Sequence, residues 1–201
     1  MTQRTFEEAI KHRRSYYSIC SDSLVLDEEI IHLIRVAVRN IPSAFNSQST
    51  RIVLLLGREH LRLWETVKEA LRPEVPPEQL PKTVQKIDNS FACGRGTILF
   101  LEDMQVVEKL QASFPLYSSN FSVWAQHTSA MHQLAIWTML EDLGFGASLQ
   151  HYNPLIDADV HRLWNLPTHW QLIAQMPFGL PTAEPEKKEY QDLSERIRVF
   201  R

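Results

Sequence analysis

The stretch from residue 119 to 154, SNFSVWAQHTSAMHQLAIWTMLEDLGFGASLQHYNP, constrains this chain more than any other. Its spacing predicts a long helix over residues 122–143, with Ser119 and Asn120 as N-cap types and Gly144 where a left-handed C-cap is wanted. Met131, Leu134, Ala135, Ile136, Trp137, Met139 and Leu140 leave the axis apolar on nearly every side. A helix apolar all round is either buried or spans a membrane. His127, His132, Glu141 and Asp142 break the run, which falls short of the ~18 apolar residues a span needs. A buried central helix is therefore expected. After GFGASLQHYNP a further helix is expected over residues 153–165, with Asn153 as cap and Pro154 at its first position.

Hydrophobic residues make up 44% of the 201, enough for one sizeable core, so a single domain over residues 1–201 is expected, with a charged arm at about 181–201. A formal charge of −3 gives no field suited to nucleic acid. The opening TFEEAIKHRRS is polar and helical, unlike a signal peptide. Cys20 and Cys93 form no CxxC and suit reduced thiols in a cytoplasmic protein.

Helices are expected over residues 5–14, 27–41 (capped by Asp27), 59–71, 83–91 and 104–114, and strands at 51–57, 97–101 and 170–179. RPEVPPEQLPK reads as a surface loop. The tail ends in alternating RIRVF and reads as an extended arm that could pair with another sheet edge. Gly94 and Gly96 precede a strand, whereas a dinucleotide fingerprint follows a strand and opens a helix, so that reading is set aside.

No GxSxG elbow is present, and His127 and His132 are five apart, off the spacing of a helical ligand pair. Four polar patches at element ends remain: RRS (13–15), PSAFNSQ (42–48), SLQHYN (148–153) and EKK (186–188). RRS reads equally as a solvated helix end or as an anion site in which arginine grips phosphate and Ser15 donates. PSAFNSQ alone reads as a plain helix-to-strand connection. Together the patches suit a flat, amide-rich, phosphate-bearing ligand.

These residues resemble the FMN-dependent nitroreductase family along nearly the whole chain. Arg13, Arg14 and Ser15 are similar to its phosphate-binding RxS element, and residues 42–48 to its PSxxNSQ loop. NFSVWAQHTSAMHQLAIWTMLEDLGFGASLQHYNP, PFGLPTAEP and the closing RIRVF resemble a subgroup of fatty-acid-repression and oxidant-induced nitroreductase-like proteins. The resemblance implies an α+β sandwich, a mostly antiparallel sheet flanked by helices, and a homodimer exchanging C-terminal strands. It implies that Arg13, Arg14 and Ser15 hold the FMN phosphate and ribityl chain. It implies that Pro42, Ser43, Ala44, Asn46 and Gln48 line the isoalloxazine from the other subunit. Ser148, Leu149, Gln150 and His151 would approach the ring, and Lys187 or Lys188 would serve as the late basic residue. Tyr17 joins this set at a position often basic in the wider family, and EPEKK stands where the subgroup has EPGEK.

The activity implied is NAD(P)H oxidation through bound FMN, by ping-pong hydride transfer to a nitroaromatic or quinone, in a cytoplasmic protein linked to oxidative stress. Such chemistry needs no acid–base dyad, because the cofactor carries it. A flavin-binding regulatory or redox-sensing protein with little turnover is the alternative.

Overall fold

The computed structural model describes residues 4–201. In chain order its elements are α1 (Phe6–His12), β1 (Ile19–Cys20), α2 (Asp27–Asn40), β2 (Thr50–Leu56), α3 (Gly57–Leu71), α4 (Leu80–Ile87), β3 (Gly96–Asp103), α5 (Met104–Ser113), α6 (Ser118–Asp142), β4 (Gly146–Ala147), α7 (Asp157–Trp164) and β5 (Trp170–Pro181). The class is α+β. The strands form one antiparallel sheet in the order β1-β5-β3-β2, with β4 also paired to β5.

The continuous apolar run of β3 follows from its central place. Successive side chains point to opposite faces of a sheet. Ile98 and Phe100 enter a core with Ile30 and Leu33 of α2 and Ile136 and Leu140 of α6. Leu99 and Leu101 enter a second core with Leu63 and Trp64 of α3 and Val160 of α7. Each such burial contributes roughly 1.5–3 kcal/mol, so a strand covered on both faces gains from apolar residues at every position. Gly96 explains the GxG pair: a Cβ there would lie 2.8 Å from the Leu55 carbonyl oxygen. The glycine serves close strand packing.

Several boundaries differ from expectation. Helix α6 starts at Ser118, because a short 3-10 turn, Pro115–Tyr117, feeds straight into it. Ser119 and Asn120 thus lie inside its first turn, and no side chain caps it. Gly144 does take the left-handed conformation, at φ 89°. Helix α7 begins at Asp157, four residues later than expected. The Asn153 side-chain oxygen is taken by the Gln175 amide (3.3 Å) instead of capping a helix, and Pro154 follows a cis peptide bond in a turn. Pro81 sits in the first turn of α4, where its missing N–H costs nothing, so the proline loop is shorter than expected.

The expectation of a helix buried all round is corrected. α6 turns Phe121, Ala125, His132, Ile136 and Leu140 inward, while Val123, Met131 and Leu134 are 52%, 40% and 46% exposed. The C-terminal arm carries a 3-10 turn, Leu193–Glu195, and leaves Ile197, Val199 and Phe200 exposed. Among the described residues no helix is long and apolar enough to cross a membrane.

Candidate functional site

Two ends of the chain converge on one sheet edge. Helix α1 opens with a capping box between Thr5 and Glu8 and stops at His12. Arg13 leaves the helix with ψ 119°, and the chain turns from the helix axis towards the sheet. The Tyr16 N–H donates to the Ala147 carbonyl (3.0 Å), and Ser15 bridges Ala147 in parallel. Residues 148–150 track β5 in turn: the Ser148 N–H donates to Pro177 (3.2 Å), and Gln150 and Gln175 exchange N–H bonds of 2.7 and 2.9 Å. RRS and SLQ, far apart in sequence, therefore meet through Ser15 and Ala147, with SLQ itself bonded to β5.

The segment after β5 folds over the same place. The Thr182 N–H donates to the Ser18 carbonyl (2.9 Å), and the Arg14 guanidinium donates to the Glu186 carbonyl (2.5 Å). Between them is a cavity of about 460 Å³ lined by Arg13, Arg14, Ser15, Tyr17, Glu184 and Lys188, among others. Lys187 does not line it.

The cavity is cationic by construction. Neither Arg13 nor Arg14 has a carboxylate ion-pair partner among the described residues. The Arg13 guanidinium lies 4.4 Å from the Trp137 ring centre, a cation–π contact. Burial first, and the charge of Arg14 second, push the Arg13 pKa down. Arg13, Arg14 and Lys188 outnumber the two carboxylates of the lining, Glu184 and Glu186, and two neighbouring guanidiniums without an ion pair favour an anion.

The third patch is elsewhere. In the loop at 42–48, Phe45, Asn46 and Gln48 all take left-handed conformations (φ 55°, 52° and 50°). Left-handed non-glycine residues cost on the order of 1–3 kcal/mol each and cluster at ligand clamps. Here the Ser43 hydroxyl accepts from the Gln48 N–H (3.0 Å). The Phe45 ring packs at 4.8 Å from Phe114, 5.3 Å from Phe121 and 6.0 Å from both Tyr117 and Trp124. Ala44 and Phe45 line a hollow with Trp124, His127 and Met131. Neither that hollow nor its neighbour along Asn46 and Ser47 includes Arg13, Arg14 or Lys188.

Within the fourth patch the side chains diverge. Ser148 is fully buried, with its hydroxyl accepting from the Gln150 side-chain amide (3.0 Å). Leu149 packs on the α2–α6 core, whereas His151 is exposed. Sequence reasoning missed Tyr16, Trp137 and Phe45. Tyr16 was within reach as part of RRSYY. Trp137 carried no signal, since only the folded chain sets it under Arg13. Among the described residues no group of His, Cys, Asp and Glu could hold a metal.

A profile described as the nitroreductase family matches residues 10–180. The chain belongs to the nitroreductase family. Nitroreductase FRM2 of Saccharomyces cerevisiae is 35% identical to it over 185 residues, 90% of this chain and 91% of that one. The yeast protein HBN1 is 34% identical over 198 residues, 98% of this chain and 97% of that one. Nitroreductase CinD from Lactococcus lactis, solved in complex with chloramphenicol, superposes with a TM-score of 0.90 at 39% identity, covering 98% of this chain and 100% of that one. This nitroreductase is thus an oxidoreductase by family, and its subgroup is the one that includes FRM2.

Proposed function

We propose that the protein is an FMN-dependent NAD(P)H oxidoreductase of nitroreductase type, working as a homodimer. The observation that carries this is the cationic cavity built from both ends of the chain; residues 148–151 do not line it but follow Ala147, which Ser15 bridges. Its donor set fits a phosphate: two guanidiniums without an ion-pair partner, the Ser15 hydroxyl and the Lys188 ammonium. Arg13 is held in place by Trp137, and Arg14 by the Glu186 carbonyl, so both are pre-oriented. Tyr17, also lining the cavity, offers an aromatic face. Gln150 offers amide groups at the adjacent edge, alongside Leu149 and His151, with Ser148 fixing Gln150 from beneath.

Bound FMN would supply hydride acceptance from NAD(P)H and hydride donation to a nitroaromatic or quinone, in alternating half-reactions. The chain's own work is to grip the phosphate, present donors to the ring edge and exclude water. Pro42, Ser43, Ala44, Asn46 and Gln48 sit on a strained loop outside the cavity of their own chain. That placement supports a loop that serves the partner's flavin. The uncovered apolar row on α6 and the apolar arm supply surfaces for such a partner.

The test is the visible spectrum of purified protein before and after anaerobic NADPH. A flavin spectrum that bleaches, recovers with a quinone, and does so in proportion to added acceptor supports the enzyme. Protein that stays colourless after FMN is added refutes the cofactor assignment. One reduction with no turnover turns the reading into a redox sensor.

A further inference from the structure

We propose that Glu102 is a positioning residue for the loop at 42–48: its ionised carboxyl locks the stem that follows the loop, and a proton taken up there loosens the loop and the flavin beneath it. The inference rests on the reading of that loop as a flavin cover.

Glu102 lies on β3 opposite Thr50 of β2 and is fully buried. One carboxyl oxygen accepts from the Ser49 hydroxyl and the other from the Thr50 hydroxyl, both at 2.6 Å. The nearby Arg51 guanidinium goes instead to Asp103 (2.8 Å). No cation is bonded to Glu102 among the described residues, so two hydroxyls carry its charge. Burial pushes its pKa up, and the Ser49 and Thr50 hydroxyls pull it back.

The hydrogen-bond directions are then fixed. The Thr128 carbonyl accepts from His132 Nδ1 (2.9 Å), so that nitrogen carries the proton. The same N–H leans on the Thr50 oxygen (3.4 Å), whose own hydrogen goes to Glu102. Burial lowers the His132 pKa, which favours the neutral ring. On the other side the Ser49 oxygen, its hydrogen also committed, meets the Ser47 hydroxyl at 3.5 Å. The hydroxyls from the loop inward are therefore aligned on one negative charge. A protonated carboxyl turns one acceptor into a donor, and at least one hydroxyl must turn round.

The stem adjoins the strain. Ser49 follows Gln48, whose left-handed backbone is held by the Ser43 hydroxyl. A strained conformation persists only where its surroundings over-determine it. Phe45 in its aromatic cluster is one anchor and Glu102 is the other, and both lead to α6, through Trp124 and His132. The charged and titratable groups around Glu102 are Arg51, Asp103, His132 and, through Asp103 at 3.7 Å, His169. Its partner on β5, Gln171, is uncharged.

The experiment is FMN binding, read by flavin fluorescence between about pH 5 and 8, for wild type, Ser49→Ala and Glu102→Gln. Titration of the flavin phosphate near pH 6 is common to all three and drops out of their ratios. Wild type should bind about tenfold more tightly than Glu102→Gln at pH 8, with the ratio falling as the pH is lowered and the carboxyl takes up its proton. Ser49→Ala should move the wild-type midpoint up by about one pH unit, because the ionised carboxyl loses a donor. Glu102→Gln at full wild-type affinity at pH 8, or an unmoved midpoint in Ser49→Ala, overturns the proposal. If Glu102→Gln does not fold, the Ser49→Ala midpoint decides alone. Wild type that takes up no FMN at pH 8 refutes the cofactor reading, and this inference falls with it. Wild type that binds FMN with Ser49→Ala unmoved refutes this inference only.

Discussion

Substitutions of Phe45 set two effects against each other, and the structure says which wins. Its ring is 50% exposed. Half of the roughly 1.5–3 kcal/mol for burying such a side chain, plus about 0.5–1.5 kcal/mol for aromatic packing, puts the loss on truncation at roughly 1–3 kcal/mol. Its backbone is left-handed at φ 55°, ψ 26°, a conformation that costs an L-residue roughly 1–2 kcal/mol. Phe45→Ala loses the ring and keeps that strain. Phe45→Gly loses the ring and releases it, at about 0.5–1 kcal/mol of added chain entropy. Glycine should therefore be more stable than alanine here by roughly 0.5–1 kcal/mol, reversing the usual order. In a chain of this size that is about 1–4 °C in Tm, measurable by thermal denaturation of the flavin-free proteins at equal concentration. Alanine equal to or above glycine would falsify the claim that Phe45 is held under strain by its aromatic neighbours.

Three further outcomes are expected. Arg13→Ala combined with Arg14→Ala should weaken FMN binding at least about a hundredfold, since each charge-assisted bond contributes roughly 1.5–3 kcal/mol; full flavin occupancy in the double variant sinks the phosphate assignment. His60 is buried, with Nδ1 2.8 Å from the Thr97 hydroxyl and Nε2 3.1 Å from the Ala92 carbonyl, and burial lowers its pKa to about 4. A depressed histidine favours the fold while neutral, so this stability is present above pH ~6.5 and lost between there and about 4, by about 3 kcal/mol; His60→Asn should flatten that limb of the pH–stability curve, and an unchanged limb refutes the assignment. Removing residues 190–201 should shift the protein towards monomer in sedimentation and lower its flavin content, whereas an unaltered dimer excludes the arm as an interface element.

What the sequence showed and hid follows from the range of the forces involved. Apolar periodicity is local, so the central helix, the two-sided strand β3 and the helices packing on them were legible. β1 and β4 were not, because strands of two residues have no period. Their existence depends on β5 as a template. The helix start expected at residue 153 moved to Asp157 for a similar reason: Asn153 has the chemistry of a cap, but Gln175 on β5 claims its oxygen. At the site, RRS and the late lysine were legible as cations, and the fold selects Lys188 over Lys187 for the cavity. Phe45 was not among the residues picked from its loop. Its role appears only when residues 114–124 close around it.

The geometry also explains why so little catalytic signal is present in any one stretch. The cationic cavity needs the end of α1 and the segment after β5, which meet because β5 is long enough to pair with β1, β4 and β3 at once. The loop at 42–48 stays outside that cavity, anchored on the far part of α6. α6 meanwhile leaves Val123, Met131 and Leu134 in solvent, which at roughly 25 cal/mol per Å² is a standing drive to associate. A second copy laid along α6 would satisfy that row and bring a loop from one chain towards the cavity of the other. On this argument dimerisation and cofactor binding are one event, so an α6 substitution such as Leu134→Asp should lower both in parallel. Loss of the dimer in sedimentation with flavin affinity intact would separate them and refute the shared-site architecture.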